Sequence, residues 1–394
     1  MKPANSLLSS YGTTVFEVMS RLAIEHQAIN LGQGFPDDRG PDAVLEAASK
    51  ALYDPPNQYP PMLGVPELRQ AVAAHDKRFY GIEVDWKTET MVSTGATEGL
   101  AACFLALIEP GDEVVVIEPL YDCYLPMIRR AGGIPRTVRL TPPHWTLDLD
   151  ALAAAFSDRT KLIVLNNPQN PASKVFTLAE LEAIAELVRR HDAYAVCDEV
   201  YEHLVFDGRR HVPLMKLPGM RERCVRIGSA GKTFSLTGWK VGYLTGPEHL
   251  LQPISKAHQF LVFTTAPNLQ RAVAFGLGQD DSYFDGLRDA MQAKRDRLAT
   301  SLSAIGLEPA VCQGSYFLFV DAKRFLKPGE DDEGFCRRLV VEAGVAAVPV
   351  SAFYQDRATA PTDFIRFCFA KRDEVLDGAA DRLAGYLGRP SHLG

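Results

Sequence analysis

The chain has 394 residues, more than one ordinary hydrophobic core accommodates, so two domains are expected. Its 46% hydrophobic and 23% charged residues describe a soluble globular protein and exclude extensive disorder. A net charge of -7 excludes the basic footprint of a nucleic-acid binder, and no apolar run approaches the roughly 20 residues of a membrane span.

No apolar leader follows the first residues, and the seven cysteines stand singly, without a C-x-x-C pair. Reduced thiols, a cytoplasmic location and small-molecule partners are therefore expected. From about residue 90 to 245, short β-rich runs alternate with helical patterns, as in a parallel α/β sheet. A strand at 90–93 leads to a helix at 96–107, and Pro110-Gly111-Asp112 turns into a strand at 113–117. Another strand at 161–165 precedes a helix that opens at Thr177 with Glu180 three positions on, a capping box, and runs to Arg190. Strands at 194–197 and 224–227 complete the alternation. The pattern then becomes α+β: a long charged helix at 285–305, a strand at 314–320, a helix at 334–343 and a strand at 365–369. The expected division is a large domain over 46–284, with a mostly parallel central sheet, and a smaller α+β domain from 1–45 and 285–394.

Ligands of such sheets sit at the carboxyl ends of the strands, where every polar motif of this chain falls. The most informative is Gly228-Ser229-Ala230-Gly231-Lys232-Thr233. A nucleotide-binding P-loop needs four residues between its first glycine and Gly-Lys, but only Ser229 and Ala230 separate Gly228 from Gly231, and Arg226 stands where the first glycine belongs. Two readings of Lys232 remain: a solvated loop lysine, or an amine of lowered pKa that forms a Schiff base with pyridoxal phosphate. Gly95-Ala96-Thr97 begins a helix, where free N–H groups suit a phosphate or serve an ordinary turn. Asp198 could hold a pyridine nitrogen protonated, with Tyr201 on the phenolic oxygen, or the pair could be a helix cap and a half-buried ring. Two X-Pro bonds pin Asn166 and Asn170 in extended or turn geometry. Arg366, in an apolar strand, fits an amino-acid carboxylate or a structural salt bridge.

Together these motifs resemble the class I aminotransferases of pyridoxal-phosphate fold type I, in the branch of kynurenine aminotransferase, glutamine transaminase K, cysteine-conjugate β-lyase and bacterial methionine aminotransferases. Further matches are Asn30-Leu31-Gly32-Gln33-Gly34-Phe35-Pro36-Asp37, Asn57-Gln58-Tyr59, and Glu118-Pro119 with Tyr121, Asp122 and Tyr124. The resemblance implies pyridoxal 5'-phosphate bound on Lys232, which also moves the proton, with Asp198 on the pyridine nitrogen and Tyr201 and Asn170 on the phenolic oxygen. It implies Tyr121 stacked on the ring, and Gly95, Ala96, Thr97, Ser229 and Lys240 at the phosphate, joined by Tyr59 of a second subunit in a homodimer. Arg366, Asn166 and the backbone of Gly34 resemble the clamp on the substrate carboxylate. Phe16, Tyr124 and, across the dimer, Phe263 resemble the walls of the side-chain pocket.

The implied reaction is ping-pong transfer of the α-amino group of an aromatic, sulfur-containing or glutamine-like L-amino acid to a 2-oxo acid. C–S β-elimination on the same site is an alternative. Three positions mark this chain out. Asn170-Pro171-Ala172-Ser173 replaces the common Asn-Pro-Thr-Gly, and Thr264 stands where some kynurenine-active relatives carry histidine. Tyr11-Gly12-Thr13-Thr14-Val15-Phe16 and Asn57-Gln58-Tyr59-Pro60-Pro61 also resemble actinobacterial N-succinyldiaminopimelate aminotransferases, the other candidate activity.

Overall fold

A computed structural model describes residues 2–54 and 57–388. The expected domain bounds also take in Met1, 55–56 and 389–394, which lie outside the described residues.

Eight strands form the main sheet: β1 (Thr90–Ser93), β2 (Glu113–Glu118), β3 (Ile134–Thr141), β4 (Thr146–Leu147), β5 (Thr160–Asn166), β6 (Tyr194–Asp198), β7 (Cys224–Ser229) and β8 (Gly242–Thr245). Their order is β1-β8-β7-β6-β5-β2-β3-β4. From β7 across to β3 every pairing is parallel, as the alternating pattern predicts. β8 runs antiparallel to both neighbours, and so does β4 to β3, which makes the sheet mixed. β2 and β7 are buried throughout, because helices cover both faces. The covering helices include α1 (Pro66–Tyr80), α2 (Gly95–Leu107), α3 (Tyr124–Arg130), α4 (Leu178–Arg190) and α5 (Glu248–Leu261). α4 opens on the capping box of Thr177 and Glu180.

The long helix α6 starts four residues ahead of its expected place and spans Asp281–Ala304. A second, antiparallel sheet follows: β9 (Glu308–Pro309), β10 (Phe317–Asp321), β11 (Val348–Pro349) and β12 (Phe364–Cys368), in the order β9-β10-β12-β11. The expected strand at 314–320 begins only at Phe317, because Ser315 takes φ 60 and turns the backbone first. The helix expected at 334–343 is α-helical over Asp332–Arg338 and widens to a π-turn over Leu339–Ala343, which Gly344 ends at φ 68. Ile29–Asn30 pairs in parallel with Val345–Ala346, tying the N-terminal segment to the C-terminal part of the chain. One hydrophobic core joins Met19, Leu31, Phe317, Phe367 and Leu383 with Val200 and Tyr201, which directly follow β6. The carboxyl edge of the main sheet therefore abuts the second sheet, and a cavity lies there.

Candidate active site

Register places three polar strand ends side by side. Asn166 at the end of β5 is opposite Asp198 at the end of β6, Asp198 is opposite Ile227 of β7, and Ser229 ends β7 opposite Gly242. Gly228 is required beside them, since a Cβ there would meet the Tyr243 ring at 2.1 Å. A cavity of about 400 Å³ opens above these ends, lined by Phe16, Gly34, Gly95, Ala96, Thr97, Tyr121, Asn166, Asn170, Asp198, Tyr201, Ser229, Lys232, Lys240 and Arg366. Fourteen of the residues expected at the site are thus brought to one wall.

Lys232 donates to Tyr316 Oη at 2.7 Å, and Tyr316 in turn donates to the Gly34 carbonyl at 2.7 Å. Burial lowers the Lys232 amine to about 8, helped by the cations Lys240 and Arg366. An amine that sheds its proton near neutrality is a nucleophile, which a solvated loop lysine at its ordinary pKa is not. Burial raises the Asp198 carboxyl to about 6, against hydrogen bonds from Tyr124 and the Val200 backbone that favour its charged form. Its Oδ1 is buried with no partner. A buried carboxylate oxygen without a donor is costly, and a ligand N–H facing it would relieve that cost.

At the opposite end, α2 begins with Gly95 at φ 76, and no side chain caps its first turn. Gly95, Ala96 and Thr97 of its first turn line the cavity, at the positive end of the helix dipole. A Cβ on Gly95 would sit 3.1 Å from Lys240 Nζ, so glycine is what lets that lysine lie over the helix start. Backbone N–H groups of a helix start, the Ser229 hydroxyl and the Lys240 ammonium on one cavity are the kinds of group that a phosphate requires.

Arg366 is buried and forms no ion pair among the described residues, so the salt-bridge reading fails. It donates to Asn170 Oδ1 and to the Gly32 carbonyl, each at 3.0 Å, while its Nε has no partner. The rings of Phe317, Phe353 and Phe16 surround it at 4.0, 4.8 and 5.3 Å. Burial brings it down to about 10, still charged at neutral pH. Asn166 lines the cavity but its amide is committed locally: Nδ2 donates to the Asp198 carbonyl at 2.8 Å and Oδ1 accepts from the Asn170 N–H at 2.6 Å. Asn170 spends its carbonyl on Arg366, leaving only its amide nitrogen to donate.

Three expected residues do not line this chain's cavity, two of them, Tyr59 and Phe263, being expected to serve the cavity of a second subunit. Tyr124, expected as a pocket wall, is buried behind Asp198 and donates to its Oδ2 at 2.5 Å. An acidic neighbour captures its hydroxyl, and α3 turns the ring into the core. Tyr59 and Phe263 do not line the cavity; they pack edge to face at 5.5 Å on the surface. Sequence reasoning missed Tyr316, Phe317 and Phe353, which read only as apolar strand and loop residues. It also missed Gln33, a cavity residue inside a quoted motif.

The model of the family "Aminotransferase class I and II" matches residues 26–383. The chain belongs to this family. It is 43% identical to the probable N-succinyldiaminopimelate aminotransferase DapC of Mycobacterium tuberculosis, over 98% of this chain and 99% of that one. It is 42% identical to the methionine aminotransferase of Escherichia coli, over 96% and 97%. The solved structure of the Mycobacterium tuberculosis N-succinyldiaminopimelate aminotransferase superposes with a TM-score of 0.93 at 44% identity, covering 98% of this chain and 100% of that one. The protein is accordingly an aminotransferase of pyridoxal-phosphate fold type I, acting on amino acids and 2-oxo acids with pyridoxal phosphate as cofactor. Its cavity fits that cofactor: the unpartnered Asp198 Oδ1 matches a pyridinium N–H, and the uncapped start of α2 matches the phosphate.

Proposed function

We propose that this aminotransferase takes an L-amino acid with a neutral apolar, aromatic, sulfur-containing or glutamine side chain and passes its amino group to a 2-oxo acid by ping-pong. The observation that carries this reading is the charge of the cavity wall. Its basic residues are Lys232, Lys240 and Arg366, and each has a partner in the cofactor or the α-carboxylate. No basic side chain of the described residues is left over for a distal carboxylate in that wall, and Phe16, Phe35 and Phe317 supply apolar surface.

Bound pyridoxal phosphate supplies an electron sink for the α-carbon. Asp198 would hold its pyridine nitrogen protonated, Tyr201 and the amide of Asn170 would hold its phenolic oxygen, and Tyr121 would lie against the ring. Gly95, Ala96, Thr97, Ser229 and Lys240 hold the phosphate. Lys232 would hold the cofactor and would move the proton at the α-carbon, a task suited to an amine near 8. Arg366 grips the carboxylate with its free N–H groups, with the Gly34 backbone beside it, while Asn166 shapes the turn that presents Asn170. Phe16 walls the side-chain pocket.

The working unit is a homodimer of cytoplasmic enzyme, divided into a large domain (46–284) and a small one (1–45 and 285–394). Support for the dimer comes from Phe260, Leu261, Val262 and Phe263, an exposed apolar run against Tyr59. Tyr59 and Phe263 then serve the neighbouring subunit's cavity. A second reading, an N-succinylated diamino acid as donor, is favoured by the 43% identity to the mycobacterial relative. A matrix of donors (methionine, glutamine, phenylalanine, kynurenine, N-succinyldiaminopimelate) against 2-oxo acids tests both. Turnover highest with neutral donors supports the first; turnover confined to the succinylated substrate replaces it with the second.

A further inference from the structure

The segment after β6 serves two sites. Asp198 and Tyr201 line the cavity, whereas their neighbours Glu199 and Glu202 enter a separate buried cluster around Arg226 of β7. Arg226 donates through Nε to Glu199 at 2.6 Å, through Nη1 to Asp76 of α1 at 2.5 Å, and through Nη2 to Glu202 at 3.1 Å. Three buried carboxylates thus share one guanidinium. With His211, which lies 3.0 Å from Glu199, and His75, whose Nδ1 lies 3.9 Å from Asp76, both neutral, the cluster keeps a surplus of two negative charges away from water, which is expensive unless a cation offsets it.

His75 of α1 and His203 stand beside that surplus. Their Nε2 atoms face each other at 2.8 Å, and one atom each from His75, His203 and Glu202 lie within 4.8 Å of one another. Two ring nitrogens aimed at one point share a single proton at best, and a neutral hydrogen-bonded pair leaves the surplus charge untouched. A tetrahedral zinc ion with bonds of about 2.0–2.2 Å holds its ligand atoms roughly 3.3 Å apart, so small side-chain shifts suffice. The carboxylate is already oriented: Arg226 holds Glu202 Oε2, and Tyr243 donates to Oε1 at 3.3 Å. Such outer contacts are what fix the ligands of built metal sites. Aromatic rings of Phe79 and Phe284 enclose His203 at 4.8 and 4.5 Å.

We propose that His75, Glu202 and His203 form a binding site for one divalent transition-metal ion, with Zn²⁺ the best match for a two-imidazole, one-carboxylate ligand set. The ion ties α1 to the segment that carries Asp198 and Tyr201, and its two charges balance the cluster. It is a structural tether, distinct from the chemistry of the amino-group transfer, and stands whichever donor the enzyme uses.

The test is a titration of chelator-treated holoenzyme with Co²⁺ and then Zn²⁺. One Co²⁺ per chain is expected, with the visible d–d bands of a four-coordinate ion, and Zn²⁺ should displace it. His203→Gln should weaken binding by more than about 100-fold, since losing a ligand exceeds the ~10–100-fold lost with an outer partner. His75→Gln should do the same, and His211→Gln, whose ring bonds Glu199 instead, should bind as the parent does. Retained cofactor absorbance establishes that each variant is folded. Absence of binding to the parent holoenzyme overturns the proposal and leaves a hydrogen-bonded histidine pair; full binding by folded His203→Gln overturns it too, by placing the ion elsewhere.

Discussion

Tyr124 donates its hydroxyl to Asp198 Oδ2 at 2.5 Å, while Asp198 Oδ1, equally buried, receives nothing. One oxygen is tied down so that the other is aimed. The bond also favours the charged carboxylate against the burial that raises it.

Tyr124→Phe should therefore raise the Asp198 pKa further. A hydrogen bond to a charged group is worth about 1.5–3 kcal/mol, or roughly one to two pKa units. The variant should bind pyridoxal phosphate about 2–10-fold more weakly at pH 7, with the deficit shrinking as pH rises and Asp198 ionises again. Cofactor affinity measured from absorbance across pH 6–9 checks this. A pH-independent loss would mean that Tyr124 only fills space.

Asp198 also predicts a stability cost in the cofactor-free protein. Its carboxyl sits at about 6 when folded, against an ordinary 3.8. The folded state holds the proton more tightly, so the group's contribution is complete below about pH 4 and falls as pH rises through 6. The full shift corresponds to about 3 kcal/mol. Asp198→Asn cannot ionise and escapes that loss. The cofactor-free variant should be more stable than the parent by up to about 3 kcal/mol above pH 7 and equal to it near pH 4, in paired urea melts. Equal stability at both pH values would refute the account, and the same variant should lose most transaminase activity.

Arg366→Lys tests the carboxylate grip. A lysine cannot donate to Asn170, to Gly32 and to a carboxylate in one plane, nor stack among Phe16, Phe317 and Phe353. The expected result is a fall of at least about 100-fold in kcat/KM, carried mostly by KM, with cofactor absorbance unchanged. An unchanged KM would remove Arg366 from the substrate site.

Phe260 is 81% exposed and Tyr59 83%, large apolar rings that a single chain leaves open to water. If these faces meet in the dimer, Phe260→Asp should give monomers by light scattering and lose activity together with dimer. A monomeric parent enzyme with full activity would dismiss the shared-site arrangement.

What was legible in the sequence follows from how locally each feature is encoded. β2, β5, β6 and β7 are continuous apolar runs between turns, and their carboxyl-end polar residues could be read directly. β8 is only Gly242–Thr245, directly after the lysine turn, and its antiparallel course depends on β1, far away in sequence. Tyr124 looked like a pocket wall because nothing in its own neighbourhood announces that Asp198 will be its partner. Ser173, where glycine is common, holds φ 57 because its hydroxyl bonds the Phe317 carbonyl at 2.7 Å and the Ser315 hydroxyl at 2.9 Å. Those partners again come from a distant strand.

Tyr316 shows the same limit and yields the sharpest test. Its hydroxyl proton goes to the Gly34 carbonyl, so its oxygen lone pair is what Lys232 meets at 2.7 Å, an arrangement that favours the ammonium form. Tyr316→Phe removes that acceptor, which lowers the Lys232 pKa below its value of about 8. A bond worth about 1–1.5 kcal/mol corresponds to roughly one unit. The cofactor-free variant should then capture pyridoxal phosphate fastest at a pH about one unit lower than the parent, since only the neutral amine attacks. Stopped-flow uptake rates across pH 6–9 measure the midpoint. A shift upward, or none, would show that the tyrosine does not set the lysine's charge, whereas Lys232→Ala should abolish uptake chemistry at every pH.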